Sequence, residues 1–455
     1  MSYTQQISRY SAEFAFDKIP ASAIKATKLV VLDALGALIV ASPTRYQAVK
    51  IIGDLVKCLG GTPECTILGR DFKSSALNAA LVMGTMGYVA DIEGGEMSRI
   101  HAPAVFVPTA LVMGERQDAD GKKFIASLVL AYDIAGRVSD AARSNKFYPH
   151  SFHPSSVFGT FGAAAVAGFN LGLNAPAFAD AYGLAGLMAS GLMSWVDDPT
   201  EHSRPFVMGN AARNGILAAL LAKMGFGGPQ GIFDAGKYNI YDAFSDEMHL
   251  DSLLNGLGTE FLVEKALTFK LYYCCGDIQP GIYALLKILE ENSIETSEIR
   301  EIVMTVKGDH KARIDNNPLK SHNAQYILAV AAVNRESRWD DFVIDHTNNR
   351  EIQKMLGLIK LQGSDLLSKY PFATTILQVK TENGSIFEKK IVPSQEAMNW
   401  MNTGIPLTQN DLEERFLAMT TSLIGSGEGK QIIKAVNSLE SLSSVRELLS
   451  LIQFE

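Results

Sequence analysis

The sequence predicts a mainly α-helical protein with an α+β part: a large all-helical domain joined to a smaller α+β domain. Three observations carry that expectation. From Ile24 to about Gly256 the chain is rich in Ala, Leu, Met and Gly, and apolar residues recur at helical spacing. After about residue 265 the pattern changes: Ile302, Met304 and Val306 alternate with Val303, Thr305 and Lys307, the period of a strand with one buried face. Further on, runs 374–380 and 385–391 flank Asn383-Gly384, a pair that favours the left-handed dihedrals of a type I′ hairpin turn.

Taken in order, segments 21–41, 74–90, 103–115, 120–140, 157–171, 174–192 and 207–225 each read as helices, several apolar nearly all round. Helices of that kind must be covered by other helices. Ala163, Ala164, Ala165, Ala167 and Gly168 allow close approach, so a dense bundle is expected, and no repeat of fixed period points to a solenoid. In the second part, helices at 277–291 and 322–334 accompany the strands. Thr408 is placed to cap a helix over 409–419, after which helical spacing returns. The expected division is 1–265 with 400–455 in the helical domain, and 266–399 in the α+β domain.

With 455 residues, 47% hydrophobic and 20% charged, the chain has material for two cores and resembles neither a disordered nor a fibrous protein. A net charge of −8, with no cluster of Lys and Arg, argues against a nucleic-acid partner. Residues 1–20 hold no apolar stretch of signal-peptide length. The apolar runs 126–134 and 217–224 are shorter than the ~20 residues that span a bilayer, so a cytoplasmic protein without membrane association is expected. Cys58, Cys65, Cys274 and Cys275 make no disulfide framework, and no Cys/His set has zinc-ligand spacing, so no metal is expected.

Clusters of ionisable side chains interrupt the helical sequence. Asp91, Glu93 and His101 lie between two helices, a natural place for a site, although a solvated loop with a helix cap has the same composition. His153 precedes Pro154, which suits a first helical position, so the amides of the helix that follows would attract a carboxylate. A lone His is more often structural, and His150 with His153 lacks a third metal ligand. Arg204, in Glu201-His-Ser-Arg-Pro205, has the forked donors that clamp a carboxylate, whereas Arg213 reads equally as a surface charge. Lys270 sits among apolar residues, where its charge needs a partner or a ligand unless its stem snorkels to water.

Five stretches in this order carry a resemblance. They are Tyr88-Val-Ala-Asp91-Ile-Glu93-Gly94-Gly95 with His101, then His153-Pro154 through Gly159-Thr160, and Ser203-Arg204-Pro205 through Gly215. Lys270-Leu-Tyr-Tyr-Cys-Cys-Gly276 and a helix bearing Tyr326 complete the set. Together they are similar to the MmgE/PrpD family of 2-methylcitrate dehydratases, cis-aconitate decarboxylases and iminodisuccinate epimerases. The resemblance implies an active-site cleft between the two domains, a homodimer, and cofactor-free, metal-free chemistry on a small di- or tricarboxylic acid. By position it makes His153, Tyr326, Asp91, His101 and Lys270 the catalytic candidates, and Arg204, Lys270 and His101 the substrate-binding ones. The chain departs from the family pattern at Tyr88, Glu93, Gly94, Gly95 and Arg204, and at Gln279, where a His often follows Cys-Cys-Gly.

The expected reaction removes a proton next to a carboxylate, which builds a dianion that Arg204, Lys270 and the helix after His153 would stabilise. His153 leads as base, with Tyr326 on the opposite face and Asp91 or His101 setting protonation states. One base suits a dehydratase or decarboxylase and two suit an epimerase. The alternative is a non-catalytic relative that binds an organic acid or serves as a dimeric scaffold. A nicotinamide enzyme is disfavoured, because no Gly-x-Gly-x-x-Gly follows a strand.

Overall fold

The structure, a computed structural model, describes residues 1–95, 97–142, 151–234, 236, 238–342, 346, 348–370, 373–392 and 407–453. Two hydrophobic cores organise it. The first runs from Ile7 to Phe269 and resumes from Leu412 to Ile452. The second lies between Cys274 and Ile391. The expected boundary at 399–400 falls outside the described residues, as does His150.

Helices α1 (Tyr3–Glu13), α2 (Ala21–Val40), α3 (Gln47–Leu59), α4 (Ala76–Val89), α5 (Ala102–Gln117), α6 (Gly121–Ala141), α7 (Pro154–Leu171), α8 (Ala175–Met188), α9 (Ser203–Lys223) and α10 (Ile240–Phe244) build the first core. A short hairpin, β1 (Cys65–Thr66) and β2 (Lys73–Ser74), precedes α4. Helix α7 packs against α5, α6, α8 and α9, which is why its sequence is apolar on every side. Helices α4 and α9 cross backbone to backbone: a Cβ on Gly84 would lie 2.8 Å from the Gly209 Cα, and one on Gly209 would lie 2.2 Å from the Leu81 oxygen. That crossing carries the first turn of α9 to the end of α4.

Of the helix boundaries that differ from the sequence expectation, two shape the site. The segment read as 174–192 stops at Met188, and a 3₁₀ turn over Met193–Asp197 follows the left-handed Gly191. Helix α9 begins at Ser203 rather than 207, because the Asp198 carboxylate accepts from the Ser203 amide at 3.0 Å and from its hydroxyl at 2.5 Å.

The second core combines α11 (Gln279–Glu291), α12 (Gly308–Ile314), α13 (Ala324–Asn334) and α14 (Arg350–Leu356) with a sheet of β3 (Ile299–Val306), β4 (Ile359–Gly363), β5 (Thr375–Thr381) and β6 (Ile386–Ile391). The strand order is β4-β3-β5-β6, with β3 parallel to β4 and antiparallel to β5, and β5 antiparallel to β6. The expected type I′ turn is a three-residue loop instead. The Thr381 amide donates to the Ser385 oxygen at 3.0 Å, and of the Asn-Gly pair only Gly384 is left-handed, at φ 88°. Asn383 stays out of that region because its side-chain oxygen accepts from the Ser385 amide at 3.0 Å and the Thr381 hydroxyl at 2.7 Å, and glycine closes the loop as a bulge.

Helices α15 (Gln409–Ile424), α16 (Ser426–Asn437) and α17 (Val445–Ile452) return to the first core, α15 capped by Thr408 with Asp411. No described helix is long and apolar enough to cross a membrane.

Candidate active site

The loop after α4 is bent sharply. Asp91, Ser98 and Arg99 are left-handed at φ 53°, 49° and 67°, a cost that only surrounding contacts can offset. The Ser139 hydroxyl donates to the Ser98 carbonyl at 2.8 Å, and around Asp91 the contacts come from cations. Arg204 lies over the Tyr88 ring at 4.6 Å and donates to the Tyr88 and Val89 carbonyls, both at 3.1 Å, so that it satisfies the end of α4. Lys270 donates to the Asp91 carbonyl at 2.7 Å and to its carboxylate at 2.6 Å. Arg415 of α15 binds the Ile92 carbonyl and the Asp33 carboxylate, which in turn accepts from the Gly94 amide at 2.6 Å.

Gly94 and Gly95 explain part of the departure from the family pattern. A Cβ on Gly94 would lie 2.5 Å from the Phe269 Cα, and Gly95 is left-handed at φ 72°, its amide donating to the Thr268 oxygen at 3.1 Å. The loop thus packs closely on the segment that delivers Lys270.

A cavity of about 100 Å³ opens beside this loop between the two cores. Tyr88, Asp91, His101, His153, Met193 and Trp195 line it from the first core. Lys270, Cys275, Asp277, Arg313 and His322 line it from the other side. Its aromatic wall is continuous: Tyr88 and His101 have centroids 4.9 Å apart, and His101 and His153 are stacked at 6.3 Å. Trp195 then stands edge-on to His153 at 5.6 Å and to His322 at 5.7 Å. His153 occupies the cap position of α7 with Pro154 next, so the positive end of that helix faces the same space.

Burial and neighbours set the protonation states. Burial works to raise Asp91, but the Lys270 and Arg204 charges outweigh it and hold the carboxyl well below the usual range. Burial works to lower Lys270, and Asp91 and Glu93 more than offset it, so the ammonium stays charged. Burial, with the charges of His101 and Arg204, pushes His153 well below its ordinary value. Burial also brings His322 down to about 4 against the pull of Asp91. Asp277 is held low by Arg313 at 2.9 Å and His310 at 3.0 Å, although burial opposes this. At neutral pH two uncharged imidazoles therefore face fixed charges of both signs.

Of the residues singled out from the sequence, Asp91, His101, His153 and Lys270 line one cavity. Arg204 and Tyr326 do not. Arg204 is fully buried behind the loop, its fork turned onto main-chain carbonyls at the end of α4. Tyr326 opens α13 inside the second core and donates its hydroxyl to the Asp341 carbonyl at 2.7 Å. Gln279 is also structural: its amide nitrogen donates to the Tyr272 and Cys274 carbonyls at 2.7 and 3.1 Å, knitting the turn before α11.

Sequence reasoning passed over His322, Trp195 and the Asp277–Arg313 pair. His322 had a signal, since it precedes Asn323, the cap of α13, much as His153 precedes α7. Trp195 had none, because its stretch follows a segment read as helix to residue 192. Among the described residues, no three His, Cys, Asp or Glu side chains are grouped to hold a metal ion.

Comparison with known proteins adds the following. Residues 5–252 match the MmgE/PrpD N-terminal domain and residues 272–441 the MmgE/PrpD C-terminal domain. Cis-aconitate decarboxylase of Homo sapiens is 24% identical, over 94% of this chain and 90% of its own. The cis-aconitate decarboxylase-like protein oryM of Aspergillus oryzae is 24% identical over 99% and 97%, and cis-aconitate decarboxylase of Aspergillus terreus is 22% identical over 99% and 95%.

Proposed function

The chain belongs to the MmgE/PrpD family, and from that premise we propose that it is a lyase cleaving a bond next to a carboxylate of a small di- or tricarboxylic acid, with decarboxylation as the leading reaction. The observation that carries the reading is the setting of His153: an uncharged buried imidazole at a helix start, lining the same small cavity as Lys270 and Arg313. Near-complete coverage of proteins called cis-aconitate decarboxylases supports the choice of reaction class.

The chemistry follows from the groups. Cleaving a bond next to a carboxylate leaves an electron pair that the carboxylate delocalises as a second negative charge, and preorganised donors are needed where that charge grows. Lys270, Arg313 and the α7 amides stand there. Asp91 fixes the Lys270 ammonium rather than taking part, since a carboxylate held that low is a poor base. His153, uncharged at neutral pH, accepts or returns the proton. In this reading the chain's own side chains supply every step, without a cofactor.

A second reading rests on one feature. His153 and His322 line the same cavity, each edge-on to Trp195, and two uncharged imidazoles would suit epimerisation if they reached opposite faces of one acid. Incubation with a panel of di- and tricarboxylates in deuterated water, read by proton NMR, separates the readings. A decarboxylase releases CO₂ and leaves one deuterium in the product. An epimerase exchanges the proton at the stereocentre and inverts it, with no loss of carbon. Absence of turnover and of exchange with every acid in the panel would count against both.

A further inference from the structure

Trp195 is held by main-chain contacts on both sides of its 3₁₀ turn. Gly191, just before the turn, has φ 122°, and a Cβ there would run into the Ser156 hydroxyl. The Gly191 carbonyl accepts from the His153 amide at 3.0 Å, and the Met193 amide donates to the Ser151 carbonyl at 2.8 Å, so the turn is laced to the residues that open α7. On the far side the Trp195 carbonyl accepts from the Asp198 amide at 3.1 Å, and the Asp198 side chain caps α9. The indole thus stands on supports fixed at both ends.

Trp195 is 6% exposed, and its Nε1–H, a donor with no acceptor capacity, meets no hydrogen-bond partner among the described residues. A buried indole N–H ordinarily has one, because leaving it unsatisfied costs the desolvation of the group. The ring borders the cavity, as do the two imidazoles it meets edge-on, His153 and His322. The cations of the cavity already engage carboxylates of the chain: Lys270 lies 2.6 Å from Asp91, and Arg313 lies 2.9 Å from Asp277. An acid with two or three carboxylates needs donors that bring no counter-charge with them, and an indole N–H is such a donor.

We propose that Trp195 is a substrate-binding residue, whose indole N–H donates to a carboxylate oxygen of an acid bound in the cavity. The class of ligand rests on the lyase reading; the unsatisfied donor does not. The consequence is selectivity: an acid that places an oxygen on Nε1 is held, and an analogue without one leaves the N–H unpaired. The bond is the same before and during cleavage, so the residue acts on capture rather than on turnover.

The test uses the full isotope-labelled chain and two saturated acids, succinate and tricarballylate, whose binding is measured by calorimetry. The chain has three tryptophans, and the Trp195 indole signal is identified by its loss in Trp195→Phe, or by elimination in Trp339→Phe and Trp400→Phe if that variant does not fold. Binding of either acid should move the Trp195 N–H proton downfield to saturation, with the Kd that calorimetry gives. A folded Trp195→Phe should bind the same acid about 10- to 100-fold more weakly. Neither readout needs turnover, so both stand if the lyase reading fails, and turnover beside an unmoved indole would sink this assignment alone. With an active acid, Trp195→Phe should raise KM by a similar factor and keep kcat within about threefold of wild type. Binding that leaves the indole signal in place, equal affinity in Trp195→Phe, or no binding of either acid would each overturn the proposal.

Discussion

Lys270 donates at once to the main-chain carbonyl and the carboxylate of Asp91, at 2.7 and 2.6 Å, and so ties the segment joining the two cores to the bend after α4. Both side chains are almost wholly buried, so each is the partner that makes the other tolerable. Lys270→Met is expected to lower stability by about 3–5 kcal/mol, because it strands a buried carboxylate. Lys270→Met combined with Asp91→Asn should lose less than the sum of the two single changes. Urea unfolding of the three variants checks this, and additive losses would contradict it.

The two tyrosine and histidine positions contributed by the second domain should respond in opposite ways. Tyr326→Phe removes a hydroxyl bonded to the Asp341 carbonyl inside the core, so it should cost about 0.5–1.5 kcal/mol in stability and leave kcat within about threefold of wild type. His322→Gln, in the cavity wall, should reduce kcat by roughly 10² or more if it transfers a proton. Steady-state kinetics on the substrate found in the acid panel gives both numbers.

The fold was legible where physics is local. Helical spacing located α2 and α4 to α9, and the alternation at 302–306 located β3. Turn detail was not legible, because Asn383 is set by its own side-chain hydrogen bonds rather than by the preference of the Asn-Gly pair. For the site, Asp91, His101, His153 and Lys270 were accessible from charge in apolar surroundings. The direction of Arg204 could not be read from the sequence: the Gly84–Gly209 crossing brings its fork onto the last carbonyls of α4. The same holds for Tyr326, whose place in a helix was clear but whose direction was not.

Stability should fall on acidification. His322 titrates at about 4 in the folded chain, below the ~6.5 of an unfolded histidine, so between those values the unfolded state binds the extra proton. Its contribution is complete above about pH 6.5 and is lost as the pH falls through about 4, with a slope of at most ~1.4 kcal/mol per pH unit. His153, pushed lower still, acts with the same sign. Denaturant midpoints between pH 4 and 7 should slope less in His322→Gln than in wild type, and identical slopes would contradict the assignment.

The chain is expected to pair with a second copy of itself. Ile51, Leu55 and Leu59 stand one turn apart on α3 and remain 47%, 51% and 64% exposed, with Phe206 of α9 at 44% beside the groove that α3 and α9 form. Light scattering should report a dimer for wild type and a folded monomer for Leu55→Glu. A monomeric wild type would contradict this.

The account stands or falls on His153 as the proton-transfer group. The most direct measurement is deuterium incorporation from deuterated water into the acid that the wild-type enzyme turns over, compared between wild type and a folded His153→Ala. The prediction is one deuterium at the carbon next to the carboxylate in wild type, with both turnover and incorporation reduced by a factor on the order of 10² to 10⁴ in the variant. Near-normal turnover and incorporation by His153→Ala would contradict it.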